Sequence, residues 1–253
     1  MLQRPKMHLA LMGLVSLSMS DSLAAEQRVE FGVVASANSS FYEDVGQDYY
    51  LLPLLLADYD RFYLQGIDAG YRFFQGETQN LAVEVRRTFD GYESDDSDAL
   101  EGMKDRDQAW EAGLVYEVNL LGGQAKAKLM HDISNTHDGF TGRVEYERSL
   151  LNGKTYMVNW FGGSEFWSRK KTNYYFGVTP EESTSSRPVY TADESYSLFA
   201  GVNAVKRLND RYSLIASADY QWMTDEIDDS PLTTRQDQWT LYAGIFYQFN
   251  SVF

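Results

Sequence analysis

The sequence predicts an all-β antiparallel transmembrane barrel, and three observations carry that prediction. The chain is polar on average, with a mean hydropathy of −0.42, yet 15 % of it is aromatic, with 18 Tyr, 14 Phe and 5 Trp. A helix that crosses a bilayer needs about 20 apolar residues in a row, and none follows residue 25. A barrel strand shows one side to lipid and the other to the lumen, with aromatic girdles at both rims, so its composition is polar and aromatic together. The second observation is a hydrophobic period of 2 rather than 3.6. The third is a strict alternation of short turns with long polar connections, which is how barrels arrange periplasmic turns and outer loops.

The first 25 residues read as an export signal rather than as part of the fold. Arg4 and Lys6 open it, residues 7–19 are mostly apolar, and Ser22-Leu23-Ala24-Ala25 offers cleavage after Ala24 or Ala25. The expected organisation is a signal peptide over 1–25 and one outer-membrane barrel over 26–253. With no cysteine in the chain, a lipid anchor on cysteine, a disulfide framework and thiolate chemistry are excluded. The net charge of −15 excludes nucleic acid held through phosphates. No cofactor is expected.

The strands follow in order. In the last segment Trp239, Leu241, Ala243, Ile245, Tyr247 and Phe249 share one parity, and Thr240, Tyr242, Gly244, Phe246 and Gln248 share the other. Tyr212, Leu214, Ala216, Ala218, Tyr220 and Trp222 repeat the pattern with Ile215 as an exception, as do Trp110, Ala112, Leu114, Tyr116 and Val118, and Leu81, Val83 and Val85. Short turns fall near 75–78, 120–123, 150–153 and 208–211; long connections fall near 38–48, 91–107, 134–139, 179–193 and 225–236. Between them lie ten strands, near 28–37, 50–74, 79–90, 108–119, 123–133, 139–149, 154–178, 194–207, 211–224 and 237–249. Two of these, 50–74 and 154–178, exceed the 9–11 residues or so that a crossing needs. Either they project, as Pro53 suggests for the first, or a split makes the count twelve.

Three groups of residues could carry chemistry. Glu84, Arg86, Glu111, Glu117, Lys126, Lys128, Arg143, Glu145, Glu147 and Asp219 have inward parity. A packed, salt-bridged lumen explains them better than a pore, because small barrels are filled by their side chains. His131, Asp132, His137 and Asp138 cluster around one short outer loop, where a His–Asp pair could activate water or hold a metal. A polar turn is the preferred reading, since His131 has outward parity and Asp132 inward. Asp95, Asp96, Asp98, Glu101, Asp105 and Asp107 would suit calcium, but their spacing is not that of an EF-hand, and a solvated acidic loop accounts for them. No Gly-x-Ser-x-Gly elbow is present. No residue is assigned a catalytic or metal-binding role.

The stretch Asn173-Tyr174-Tyr175-Phe176-Gly177-Val178-Thr179-Pro180-Glu181-Glu182, then Pro188-Val189-Tyr190-Thr191-Ala192-Asp193 and Asp228-Asp229-Ser230-Pro231-Leu232, resembles the MipA/OmpV family. Asp90-Gly91-Tyr92, Leu100-Glu101-Gly102-Met103, Arg106-Asp107 and Trp110-Glu111-Ala112-Gly113-Leu114 extend the resemblance. The family usually ends in an aromatic-basic-Phe triplet, whereas here Tyr247-Gln248-Phe249 is followed by Asn250 to Phe253. The resemblance implies an outer-membrane barrel surrounded by lipid and lipopolysaccharide. Family members are described as a scaffold joining a murein hydrolase to a murein synthase, or as an adhesin. The expected role here is therefore structural or interactive, with a narrow solute channel as the alternative and a rim hydrolase third.

Overall fold

Alternation along each strand decides which side chains meet lipid and which meet the lumen, and the pairing then closes the sheet on itself. The structure, a computed structural model, describes residues 28–249. The expected signal peptide and the residues after Phe249 lie outside them. Within this range the strands are β1 (Arg28–Asn38), β2 (Asp48–Tyr59), β3 (Phe62–Gln65), β4 (Asp68–Gln75), β5 (Gln79–Arg87), β6 (Trp110–Leu120), β7 (Gly123–Asp132), β8 (Phe140–Asn152), β9 (Tyr156–Trp167), β10 (Ser195–Arg207), β11 (Tyr212–Met223) and β12 (Asp237–Phe249). All twelve form one closed antiparallel barrel in which β12 returns to β1. Closure satisfies most of the backbone between neighbouring strands, as a wall facing lipid requires.

The count is twelve and not ten because 50–74 is three strands. Asp60 (φ 52°) and Gly66 (φ 69°) adopt the left-handed backbone that tight hairpin turns require. They reverse the chain twice, giving the four-residue β3 and the eight-residue β4. Pro53 does not mark an exit from the bilayer. It lies inside β2 opposite Val33.

The other long segment also divides. β9 ends at Trp167, and helix α1 (Arg169–Phe176) follows. Lys171, Thr172, Tyr175 and Phe176 are its buried residues, the helical spacing that a strand reading of 154–178 passes over. A one-turn helix α2 (Asp225–Asp228) lies in the last outer loop.

The lumen has two unlike halves. On β1, β2 and β10–β12, Val34, Leu54, Val205, Ile215, Tyr242 and Phe246 form an apolar cluster with Leu52 and Leu56 against it. On β5–β9 the inward positions carry most of the lumen's paired charges. Above both sits a third cluster, in which Phe41, Tyr42, Tyr92, Leu100, Met103, Trp167, Tyr175, Phe176, Val178, Met223, Ile227 and Leu232 pack the outer loops over the mouth.

Candidate functional site

The charged half of the lumen is built from pairs that the strand register brings side by side. Glu117 on β6 stands opposite Lys126 on β7 and meets it at 2.8 Å. Lys128 reaches Glu84 at 2.6 Å, and the Tyr63 hydroxyl donates to the same carboxylate at 2.8 Å. Arg143 meets Glu145 at 2.8 Å and Glu165 at 3.1 Å, with the Phe199 ring 3.6 Å from its guanidinium carbon. Glu147 accepts from Asn159 and Asn203 at 3.2 and 2.9 Å. Asp219 stands beside Gly201 and Thr240 on its two neighbouring strands. Glu165, which sequence parity also places inward, was missed because its strand was read through into α1.

At the outer end Glu111 is the hub. Its carboxylate meets Arg86 at 2.6 Å and Lys171 at 3.3 Å, and its side chain is fully buried. Lys171 comes from α1, which lies across the mouth. Its ammonium also meets Asp90 at 3.1 Å and Thr141 Oγ1 at 3.1 Å, 4.2 Å above the Trp167 ring. Burial alone would lower the Lys171 pKa, but Asp90 and Glu111 outweigh it and hold the ammonium above its ordinary value. Gly139 permits this approach, because a Cβ there would stand 2.6 Å from Ser168 Oγ and 2.8 Å from the Lys171 amide nitrogen. No motif announces Lys171 as a lumen residue, since it reaches the lumen from a loop helix.

The His–Asp segment is resolved by the same geometry. His131 faces outward and is exposed, while Asp132 faces inward and is buried. Inward parity would let Asp132 pair inside the lumen, but it serves its own loop instead. Its oxygens accept from the amides of Ser134, His137 and Asp138 at 2.7–2.9 Å and close the loop. Asp138, at φ 53°, is exposed. His137 folds inward, out of reach of solvent. Its Nδ1 accepts from the Gly139 amide at 3.0 Å, so Nε2 carries the proton and faces Glu111 Oε1 at 3.5 Å. Histidine and carboxylates therefore meet, but with His137, Asp132 and Glu111 all at 5 % exposure or less they give a substrate no entry.

The family-motif residues fasten the outer loops to one another. Arg106 clamps Glu182 at 2.9 and 3.1 Å and donates to the Tyr174 carbonyl at 2.6 Å. The Tyr175 hydroxyl donates to the Asp107 carbonyl, and the Asp107 amide donates to the Tyr174 hydroxyl. Asn173 accepts from the Ala192 amide at 3.0 Å and caps the Gly177 amide through its carbonyl. Val178 bridges Tyr190. The Tyr190 hydroxyl donates to the Glu226 carbonyl at 2.8 Å, its pKa pushed up to about 12 by burial and by Glu226. Asp193 binds Arg169 at the surface, and Ser230 donates to the Phe176 carbonyl at 2.7 Å. Pro188 and Asp228 are exposed, and Pro231 is half-buried.

The acidic outer loop spends carboxylates on its own amides. Asp96 accepts from Glu93 N at 2.7 Å and Asp105 from Ser94 N at 2.8 Å. Glu93, Asp95 and Asp96 bring carboxylate oxygens within 4.8 Å of one another.

A cleft opens beside the cap. It is lined by Phe41, Tyr42 and Val45 from the loop after β1, by Phe89, Asp90 and Tyr92 from the segment after β5, and by Trp167 and Phe176 from the mouth.

Known proteins place this architecture. OmpV of Vibrio cholerae is 27 % identical over 257 residues, covering 95 % of this chain and 99 % of the relative. Omp26La of Vibrio anguillarum is 26 % identical with the same coverage, and a protein named MltA-interacting protein in Escherichia coli K12 is 23 % identical over 96 % of this chain and 99 % of its own length. Among solved structures, the translocator domain of autotransporter NalP from Neisseria meningitidis covers 88 % of each chain at 11 % identity, with a TM-score of 0.49. The profile of the family described as MltA-interacting protein MipA matches residues 31–249, from within β1 to the end of β12. The chain is an outer-membrane β-barrel and belongs to the MipA family.

Proposed function

We propose that this barrel is an interaction protein of the envelope, and that its periplasmic rim docks a periplasmic enzyme that remodels peptidoglycan. One observation carries the reading. The short turns expose a row of leucines on neighbouring hairpins: Leu120 at the end of β6 and Leu121 after it, Leu150 and Leu151 at the end of β8, and Leu208 after β10. Leu121 is 82 % exposed and sits at φ 51° beside Gly122 at φ 75°. A left-handed turn of this kind favours Asn-Gly, and a leucine there costs stability and gains no burial in the barrel itself. Such a residue fits a partner's apolar pocket. The E. coli relative's name points to the same class of partner. The covered mouth supports the reading too, because a barrel fastened over by α1 offers little passage to solutes from outside.

The test is mild cross-linking in cells followed by purification of the barrel. Leu121→Asn removes the apolar tip while suiting the left-handed backbone, so the fold is retained. Together with Leu208→Ser it is expected to abolish capture of a murein hydrolase or synthase, with the barrel still heat-modifiable on gels. Capture that survives both changes, or wild-type protein that captures no envelope enzyme, overturns the proposal.

A further inference from the structure

The barrel wall is incomplete at one place. β3 pairs with β2 only from Leu56 to Tyr59, and the Gly66 amide then caps the Leu55 carbonyl at 2.9 Å. Above that point β2 continues for Asp48 to Leu55 with β1 on one side and, among the described residues, no strand on the other. At roughly 3.3 Å per residue, Tyr49 to Leu55 leaves about 20 Å of strand edge open. The Leu55 carbonyl points to the β3 side, so the hydrogen-bonding groups of Leu51 and Pro53 point there too. Pro53 places its missing N–H at the open edge, a device that blunts edges against pairing with another strand.

The surroundings of this notch are apolar on both faces. Tyr49 and Leu51 are each 72 % exposed, more than other large side chains facing lipid, such as Leu129 at 56 % or Leu198 at 58 %. They continue the lipid-facing belt formed by Val33, Phe31 and Leu55. Inside, β2 presents Leu52, Leu54 and Leu56 rather than the charges of the opposite wall. The notch is flanked by β2 and by the segment leaving β5, and the aromatic cleft takes its lining from the loop before β2 and from that same segment.

We infer that the notch is a lateral portal from the outer leaflet, occupied by an acyl chain of a membrane lipid that reaches the cleft beside Trp167. Continuity with the lipid-covered belt selects the occupant. Hydrocarbon alone would leave the Leu51 N–H unpaired in the bilayer at a cost, whereas the ester oxygen of a lipid accepts from it as the chain turns inward. A second copy of the barrel pairing through this edge is disfavoured by Pro53.

The test uses the full barrel reconstituted in vesicles of phosphatidylcholine with brominated acyl chains. Trp110, Trp160, Trp222 and Trp239 are replaced by Phe, so that Trp167, buried in the lining of the cleft, is the sole indole. A second variant retains only Trp160, which faces lipid, and reports insertion. The expected result is loss of Trp167 emission to an extent comparable with Trp160. Adding Leu51→Lys at the notch restores Trp167 emission, and adding Leu241→Lys on the intact wall does not. Full Trp167 emission with Trp160 quenched overturns the inference. So does quenching by a brominated free fatty acid but not by the phospholipid, or loss of quenching only when the barrels are held apart by dilution into excess lipid, which would mark a pairing of two copies.

Discussion

The two halves of the lumen solve the same problem by opposite means. On β5–β9 the interior is filled by ions that neutralise one another: Glu84 with Lys128, Glu117 with Lys126, Glu111 with Arg86 and Lys171. On β1, β2 and β10–β12 the interior is filled by Leu54, Val205, Ile215, Tyr242 and Phe246, and it is here that the wall has its notch. Charge is concentrated on β5–β9, whereas the open edge belongs to β2 in the apolar half. A buried ion is tolerable only while its partner is held in place, and a gap open to lipid would expose it to hydrocarbon. Leucines beside a gap lose nothing when a lipid chain replaces a missing neighbour.

The largest expected effects separate the halves directly. Glu111→Ala leaves Arg86 and Lys171 buried without their shared carboxylate and should destabilise the barrel by about 3–5 kcal/mol. Leu54→Ala in the apolar half should cost about 2–5 kcal/mol by opening a cavity. Thermal unfolding followed by gel heat-modifiability measures both, and in lipids whose chains can enter the notch the Leu54→Ala loss should shrink while the Glu111→Ala loss should not. Equal behaviour of the two in all lipids would erase the distinction.

A smaller effect tests the facing on which the comparison rests. Leu114→Arg puts a charge against lipid and should cost about 2–4 kcal/mol in assembly. Gln124→Arg, half-buried and inward opposite Glu147, should assemble nearly as wild type. Inward Gly113 is unsuited to the same test, because any Cβ there meets the Leu129 carbonyl. A reversed ranking in outer-membrane fractions would show every inward residue to be misassigned by one position.

The smallest effect concerns the cap rather than the wall. Burial disfavours the Glu182 carboxylate, but hydrogen bonds from the Lys104 and Thr179 amides and from Arg106 outweigh it and lower its pKa from 4.5 to about 2. A carboxyl lowered in the folded state contributes stability that is complete above 4.5 and is lost as the pH falls through 2. Protease cleavage of the outer loops should therefore rise over that window while the barrel stays heat-modifiable. Glu182→Gln should be cleaved readily at neutral pH with little further change. Loops equally resistant in both proteins would remove Glu182 from the clasp.

Some of this was legible residue by residue. The parity of Trp239 to Phe249 or of Tyr212 to Trp222 needs only the pleat of a strand, which sends neighbours to opposite faces. Ile215, the exception to its strand's alternation, is an inward core residue of the apolar half, and the pattern had already set it apart. The hairpin of β3 and β4 was not legible, because Asp60 and Gly66 are isolated turn formers within a run of Tyr, Leu and Phe. His137 was also opaque, since loop residues follow no period that predicts which of them folds inward.

The sequence by itself determined the barrel class, the family, the alternation of turns and loops, and the inward charges, because each rests on local periodicity or on an ordered motif. The tertiary structure alone decided that 50–74 turns back twice, that Lys171 enters the lumen from α1, that the family motif clasps the outer loops, and that β2 is left with an open edge. The physical reason is the same in each case. These features depend on which segments lie beside one another after closure, and a chain carries no local mark of the neighbour that it will lack.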